Sequence, residues 1–194
     1  RWPVLDRARG APNQFGATVF ERATVHSTMT ELERHPVPAA VDVEGWALAV
    51  DGAVDHPIEL DRSDLESLPS VSLTDDFACE EGWVAEDLTW RGVRVDAILD
   101  RVDPVPGSEY GLVSAMDGDY ACSFPLDRLR DCVLAVELDG AELGVAHGGP
   151  ARLVPPADGR DCWESVKWVA GIRLLERAPT DGDTARDHAL SRLD

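Results

Sequence analysis

Apolar positions fall mostly into short runs separated by Gly, Pro and Asp, a pattern that predicts strands and tight turns. Trp46-Ala47-Leu48-Ala49-Val50 reads as a strand entering a turn at Asp51-Gly52, and Ile58-Glu59-Leu60 resumes it. Ser63 to Leu68 forms a short capped helix stopped by Pro69. Val71 to Phe77 is extended and carries the chain toward Cys79. From Val93 to Val102 the spacing of Val95, Ile98, Leu99 and Val102 is helical, ending before Pro104. Tyr110–Ala115 and Tyr120–Phe124 flank Asp117-Gly118, the signature of a hairpin. Val133–Leu138 meets a similar turn at Asp139-Gly140, and Arg152–Val154 and Val166–Leu175 supply further strands.

These pieces show no βαβ rhythm, so the expected fold class is α+β, with mixed β-sheets and a few short helices. Residues 1–40 are poorly periodic, carry Pro3, Pro12, Pro36 and Pro38, and read as an N-terminal wrapping arm. Residues 41–178 form the domain, and 179–194 a C-terminal tail. The chain carries no internal repeat, low-complexity segment or linker.

Composition adds a constraint on the surroundings. At 194 residues with 44% apolar content, the chain is large enough for one folded core. Its 37 acidic groups against 18 basic ones leave a net charge of −19, which repels nucleic acid and anionic membrane surfaces. The acids are dispersed, as in Asp42, Glu44, Asp51, Asp55, Glu59 and Asp61, so they describe a whole surface and not an interaction tail. Lysine is nearly absent. Together these features predict a protein that works in concentrated salt, as in halophilic archaea, where self-repulsion is screened.

No stretch is long and apolar enough to span a membrane, and Arg1-Trp2-Pro3 begins no signal region, so a cytoplasmic, high-salt location is expected, with an exported form as the alternative because the sequence does not begin with Met. The four cysteines, Cys79, Cys122, Cys132 and Cys162, are too scattered for a disulfide framework and contain no C-x-x-C.

Two places carry candidate chemistry. Lys167 is the only lysine, and it follows the Gly- and Pro-rich run His147-Gly148-Gly149-Pro150-Ala151-Arg152. An ammonium beside a planar guanidinium, both near glycine-opened backbone, suits a phosphate or other bound anion. Cys79, at the end of an extended segment, has three open roles: a small core side chain, a nucleophile, or a thiolate ligand to a metal. No Cys/His/Asn order supports the nucleophile.

The blocks Phe77-x-Cys79-x-x-Gly82-Trp83, Trp90-x-Gly92-Val93, His147-Gly-x-Pro150-x-Arg152 and Ser165-Val166-Lys167-Trp168 occur in order along the chain. In combination they resemble the molybdopterin-binding oxidoreductase family, which includes sulfite oxidases, nitrate reductases and methionine sulfoxide reductase catalytic subunits. The resemblance runs from Trp46 to about Leu174.

It implies a sulfite oxidase-type fold and a molybdenum-molybdopterin cofactor, with Cys79 as the thiolate on the metal. It implies that Arg152, Lys167, Ser165, Val166 and His147 hold the pterin and its phosphate. Ser114 lies near a family Ser/Thr that binds the pterin, and Arg34-His35-Pro36-Val37-Pro38 is similar to the Arg-Asn-His-x-Pro-Val-Pro of sulfite oxidases. Arg34 and His35 are therefore carried over as cofactor-binding residues.

The implied activity is two-electron oxygen-atom transfer on a small sulfite- or sulfoxide-like substrate. With no C-x-x-C-H haem motif in the chain, electrons pass to a separate partner. The alternative is a cofactor-poor binding or assembly module that keeps the fold. Its support is the segment 155–164, which departs from the family pattern and places Asp158, Asp161 and Glu164 where a phosphate should approach. Trp83, Trp90 and Trp168 are expected as packing, Arg91 and Arg94 as exposed, Cys122, Cys132 and Cys162 as structural, and His26, His56 and His188 as solvent-facing.

Overall fold

In the computed structural model, residues 27–29, 32, 34, 36–79 and 82–191 are described. The elements in chain order are β1 (Ser27–Met29), β2 (Leu48–Gly52), β3 (Ile58–Leu60), α1 (Arg62–Glu66), β4 (Ser70–Ala78) and β5 (Trp83–Arg94). Then come α2 (Val95–Leu99), β6 (Tyr110–Ala115), β7 (Ala121–Pro125), α3 (Leu126–Arg130), β8 (Val133–Leu138) and β9 (Ala141–Glu142). β10 (Arg152–Val154), β11 (Val169–Leu175) and α4 (Ala185–Leu190) complete the set, with single 3-10 turns at Val145–His147 and Cys162–Glu164.

The strands make two mixed sheets. In the first, β5 pairs antiparallel with β4 and β8 and parallel with β1, and β8 continues to β10 and β9. The second has the order β3-β2-β11-β6-β7, in which only the β2/β11 pair is parallel. This is the α+β architecture expected from the pattern.

Alternation explains the strands that face one side. In β6, Gly111, Val113 and Ala115 are buried while the residues between them are partly exposed. α1 begins with a capping box between Asp61 and Asp64, which satisfies two of its leading N–H groups. Most of the apolar core lies around Leu48, Val50, Ile98, Leu99, Phe124, Leu153 and Ile172. A second cluster, with Phe77, Trp83, Leu88, Trp90 and Leu143, sits beneath the β4/β5 hairpin.

Among the boundaries that differ from expectation, three have a local cause. β2 continues through Gly52 because Gly52 still pairs with Leu174 of β11. The helix expected over Val93–Val102 is confined to Val95–Leu99, because Val93 and Arg94 end a 12-residue strand held by β4 on one side and β8 on the other. β11 starts at Val169 and not Val166, because Trp168 turns with a φ of +51°. Two helices had no clear periodic signal: α3, and α4 within the expected tail.

Gly92 is where β5 crosses β8 closely. A Cβ there would lie 2.0 Å from the carbonyl oxygen of Leu134, so no side chain fits without separating the strands. The glycine of the Trp90-x-Gly92-Val93 block therefore has a structural cause.

Candidate functional site

The β4/β5 hairpin ends at Cys79. Its amide donates to the carbonyl of Trp83 at 2.9 Å, and its own carbonyl accepts from the amide of Gly82 at 3.0 Å. These bonds fix the half-buried thiol at the mouth of a cavity of about 130 Å³. Cys79, Arg152, Ser165 and Lys167 all line that cavity.

Arg152 is the unusual member, since β10 is buried along its whole length and the arginine is only 2% exposed. Its Nε donates to Ser165 Oγ at 3.0 Å, and its Nη1 donates to the carbonyl oxygen of His147 at 3.1 Å. The guanidinium lies 5.0 Å from the Phe77 ring centroid and 5.3 Å from that of Trp90, an aromatic slot that stabilises a cation. Among the described residues no carboxylate pairs with it. Burial pushes its pKa down to about 10, which still leaves it charged at neutral pH. Among the described residues two of its five N–H donors have protein partners, Ser165 and the His147 carbonyl.

Ser165 is committed to this arrangement. Its hydroxyl accepts from Arg152 and donates to the carbonyl oxygen of Leu153 at 2.9 Å, while its amide donates to Cys162 O at 3.2 Å. Ser165 thus orients the guanidinium. Lys167 is seated by the turn before Arg152: Gly148 has a φ of +99°, and a Cβ on it would stand 2.9 Å from Lys167 Cγ. The indole N–H of Trp168 ties the same turn down by donating to Val145 O at 2.7 Å.

Other expected residues lie elsewhere. His147 reaches the site through its backbone carbonyl, and its side chain is not part of the cavity wall. Val166 is fully buried in the core, with its amide donating to Glu164 O and its carbonyl accepting from Leu153 N–H. Ser114 lies beside Gly171 across the β6/β11 pair, and it is Ala115, on the opposite face of β6, that lines the cavity. Arg34 is exposed and off the wall, although Leu32 and Pro36 of the same segment are on it. His35 and His26 lie outside the described residues.

Several wall residues carried no functional signal in the sequence. Phe77, Trp83, Tyr120, Trp163, Trp168 and Cys162 line the cavity. Phe77 and Trp83 belong to the cysteine block and were legible as apolar neighbours of Cys79. Trp163 and Cys162 sit in the 155–164 segment, where no periodicity marks them. Cys162, expected to be structural, is half-buried on the cavity wall; Cys122 and Cys132 are buried in the core, and desolvation pushes the Cys132 thiol up to about 12.

The acids of 155–164 do not face the site. Glu164 pairs with Arg128 at 2.6 Å, Asp161 caps the 3-10 turn, and Asp158 is exposed with its carbonyl accepting from Arg128. The segment is clasped at its other side by Arg160, which pairs with Asp75 at 2.9 Å and donates to Asp76 O.

A thiol, a lysine and a buried cation that no carboxylate pairs among the described residues share one cavity, a set whose chemistry suits a soft metal and an anionic group. Residues 34–182 match the family model described as oxidoreductase molybdopterin binding domain, and the chain belongs to that family. The chain is 32% identical over 154 residues to the uncharacterised oxidoreductase YuiH of Bacillus subtilis, covering 78% of this chain and 76% of that protein. It is 26% identical to the protein-methionine-sulfoxide reductase catalytic subunit MsrP of Gluconobacter oxydans, covering 86% of this chain. Against the sulfite oxidase of Arabidopsis thaliana it is 24% identical over 85% of this chain.

The chain spans about half the length of those last two relatives, 54% and 52%. In structure it is similar to the sulfane dehydrogenase SoxCD of Paracoccus pantotrophus, with a TM-score of 0.67, 20% identity, and coverage of 89% of this chain and 61% of that one. The fold is therefore of the sulfite oxidase type, and the family's cofactor is molybdopterin. The donor set fits that group: Cys79 offers a soft sulfur, and the Arg152 charge has no carboxylate among the described residues to neutralise it. No helix among the described residues is long and apolar enough to cross a membrane.

Proposed function

We propose that this chain performs two-electron oxygen-atom transfer on a small sulfite- or sulfoxide-like substrate, using the molybdenum–molybdopterin cofactor. The observation that carries the reading is the placement on one cavity wall of Cys79 and the Arg152 guanidinium, which no carboxylate pairs among the described residues. The bound cofactor supplies the redox couple and the oxygen-transfer chemistry.

The protein's own residues do the rest. Cys79 gives a thiolate to the metal, a donor whose softness suits a centre that changes oxidation state. Arg152 and Lys167 hold the phosphate of the pterin, the first by its fork of N–H donors and the second as a point charge. Ser165 and the His147 carbonyl fix the direction of the guanidinium. Phe77, Trp83, Trp163 and Trp168 exclude water, which strengthens each charge interaction inside the cavity. Of the other residues carried over from the family, His35 stays in this reading as a contact to the cofactor, whereas Val166, Ser114 and Arg34, which lie off the cavity wall, do not. Electrons leave to a separate partner protein, and the acid-rich, lysine-poor composition supports work in concentrated salt.

The alternative of a cofactor-poor module rested on the acids of 155–164. Their engagement with Arg128, a cap and solvent removes the repulsion that favoured it. The test is metal and pterin content of protein from a molybdate-replete host. About one equivalent of molybdenum per chain is expected, falling to background in Cys79→Ser, with pterin content reduced in Lys167→Ala. Wild-type protein without molybdenum or pterin would sink the reading.

A further inference from the structure

The cavity holds a second thiol that the proposed chemistry does not use. Cys79 and Cys162 are both half-buried, neither is in a disulfide, and both line the same cavity of about 130 Å³. Independent contacts bring their two segments together. The Arg160 guanidinium lies 5.6 Å from the Phe77 ring centroid, pairs with Asp75 and donates to Asp76 O. Phe77 stands two residues before Cys79, and Arg160 stands two residues before Cys162. The two cysteines therefore follow, at equal offsets, a pair of residues in direct contact.

Arg152 lines the same cavity as both cysteines. The loop that carries Cys162 is also anchored away from the cavity. Arg128 pairs with Glu164 and donates to the carbonyls of Asp158 and Gly159, and the Tyr120 hydroxyl donates to Trp163 O at 2.7 Å. Cys162 is thus held at the cavity by contacts on both sides. Cys122 and Cys132 differ: both are buried in the core and neither reaches the cavity.

We propose that Cys79 and Cys162 form a dithiol site that closes to an intramolecular disulfide when metal-free protein meets a small disulfide oxidant of the glutathione class. The exchange is balanced. The Cys79 thiolate attacks the small disulfide, forming a mixed disulfide and releasing one small thiolate. The Cys162 thiolate then attacks the Cys79 sulfur, forming the S–S bond and releasing the second. Two protein thiols are oxidised, one small disulfide is reduced to two thiols, and the two protons pass to solvent or the released thiolates. The bond would keep the metal-binding sulfur from irreversible oxidation until a reductant restores it.

Full-length chain made without molybdate would be incubated with oxidised glutathione, alkylated and digested with trypsin without reduction. The expected product is a cross-link between Ser63–Arg91 and Asp161–Lys167 that dithiothreitol releases, with the titratable thiols in denaturant falling from four to two. Cys162→Ser should leave Cys79 as a persistent glutathione adduct and give no cross-link. Persistent adducts on both cysteines of the wild type, unreacted thiols, or a bond from Cys79 to Cys122 or Cys132 would each overturn the dithiol.

The site goes beyond the proposed function and is separable from it. Molybdenum-loaded protein should resist cross-linking. A cross-link forming with the metal still bound would support the dithiol and overturn Cys79 as the ligand.

Discussion

The Arg152 guanidinium lies 5.0 Å from the centroid of the Phe77 ring, two residues ahead of Cys79. The cation of β10 and the thiol of the β4/β5 hairpin are thereby fixed relative to each other by one aromatic side chain. Phe77→Leu keeps an apolar group there but removes the ring face that stabilises the charge. At about 0.5–2 kcal/mol for a desolvated cation–π contact, pterin retention should fall several-fold while the fold persists. Pterin fluorescence after acid oxidation, alongside circular dichroism, checks this; unchanged retention would show that the ring only fills space.

Arg128→Ala should loosen the 155–164 loop without disturbing the sheets. The arginine makes a short pair with Glu164 and two bonds to loop carbonyls, and its removal leaves a half-buried carboxylate without that partner. A loss of about 1–3 kcal/mol is expected. Hydrogen exchange should accelerate in the peptide spanning Cys162 and Trp163 far more than in β6 or β11.

The pH dependence of anion binding follows from Arg152. Its folded-state pKa is lowered to about 10 by burial, below its ordinary value. Below that pH both folded and unfolded chains hold the proton, so this group adds no slope to stability between pH 6 and 9. Above it the folded chain releases the proton first, so the desolvation penalty is relieved as pH rises. The Arg152 share of the anion grip's positive charge is lost over the same range. Cofactor retention should therefore decline as pH passes about 10 while circular dichroism is unchanged. A midpoint that does not move in Arg152→Ala would assign the effect to another group.

Salt should govern stability. With a net charge of −19, self-repulsion opposes the compact state at low ionic strength. The melting temperature should rise steeply as KCl approaches about 1 M, where the Debye length is about 3 Å. A melting temperature independent of KCl would count against the high-salt reading.

The cysteine block was legible because it is local: an extended run ending in a thiol, with Gly82 and Trp83 a turn later, needs only a hairpin to acquire its geometry. The pairing of Arg152 with Ser165 also follows from nearby segments. By contrast, Ser114 and Val166 could not be placed from position alone. In a strand, one residue's difference reverses the face, and it is Ala115 that points to the cavity. β5 was hidden because its end merges into a helical spacing, and only its ladders with β4 and β8 show where the strand stops.

The family, the α+β class and the thiol–arginine–lysine set could be read from the chain, since these rest on residue types at short spacings. Which groups face one another depends on the packing. The acids of 155–164 turn toward Arg128 and solvent because a guanidinium from α3 waits outside the cavity, 36 residues earlier in the chain than Glu164. Cys162 comes to the same cavity as Cys79 because Arg160 ties its loop to β4, 84 residues from Asp76. Contacts at that separation depend on how two sheets and a loop pack, and no local pattern of hydrophobic and polar residues encodes them.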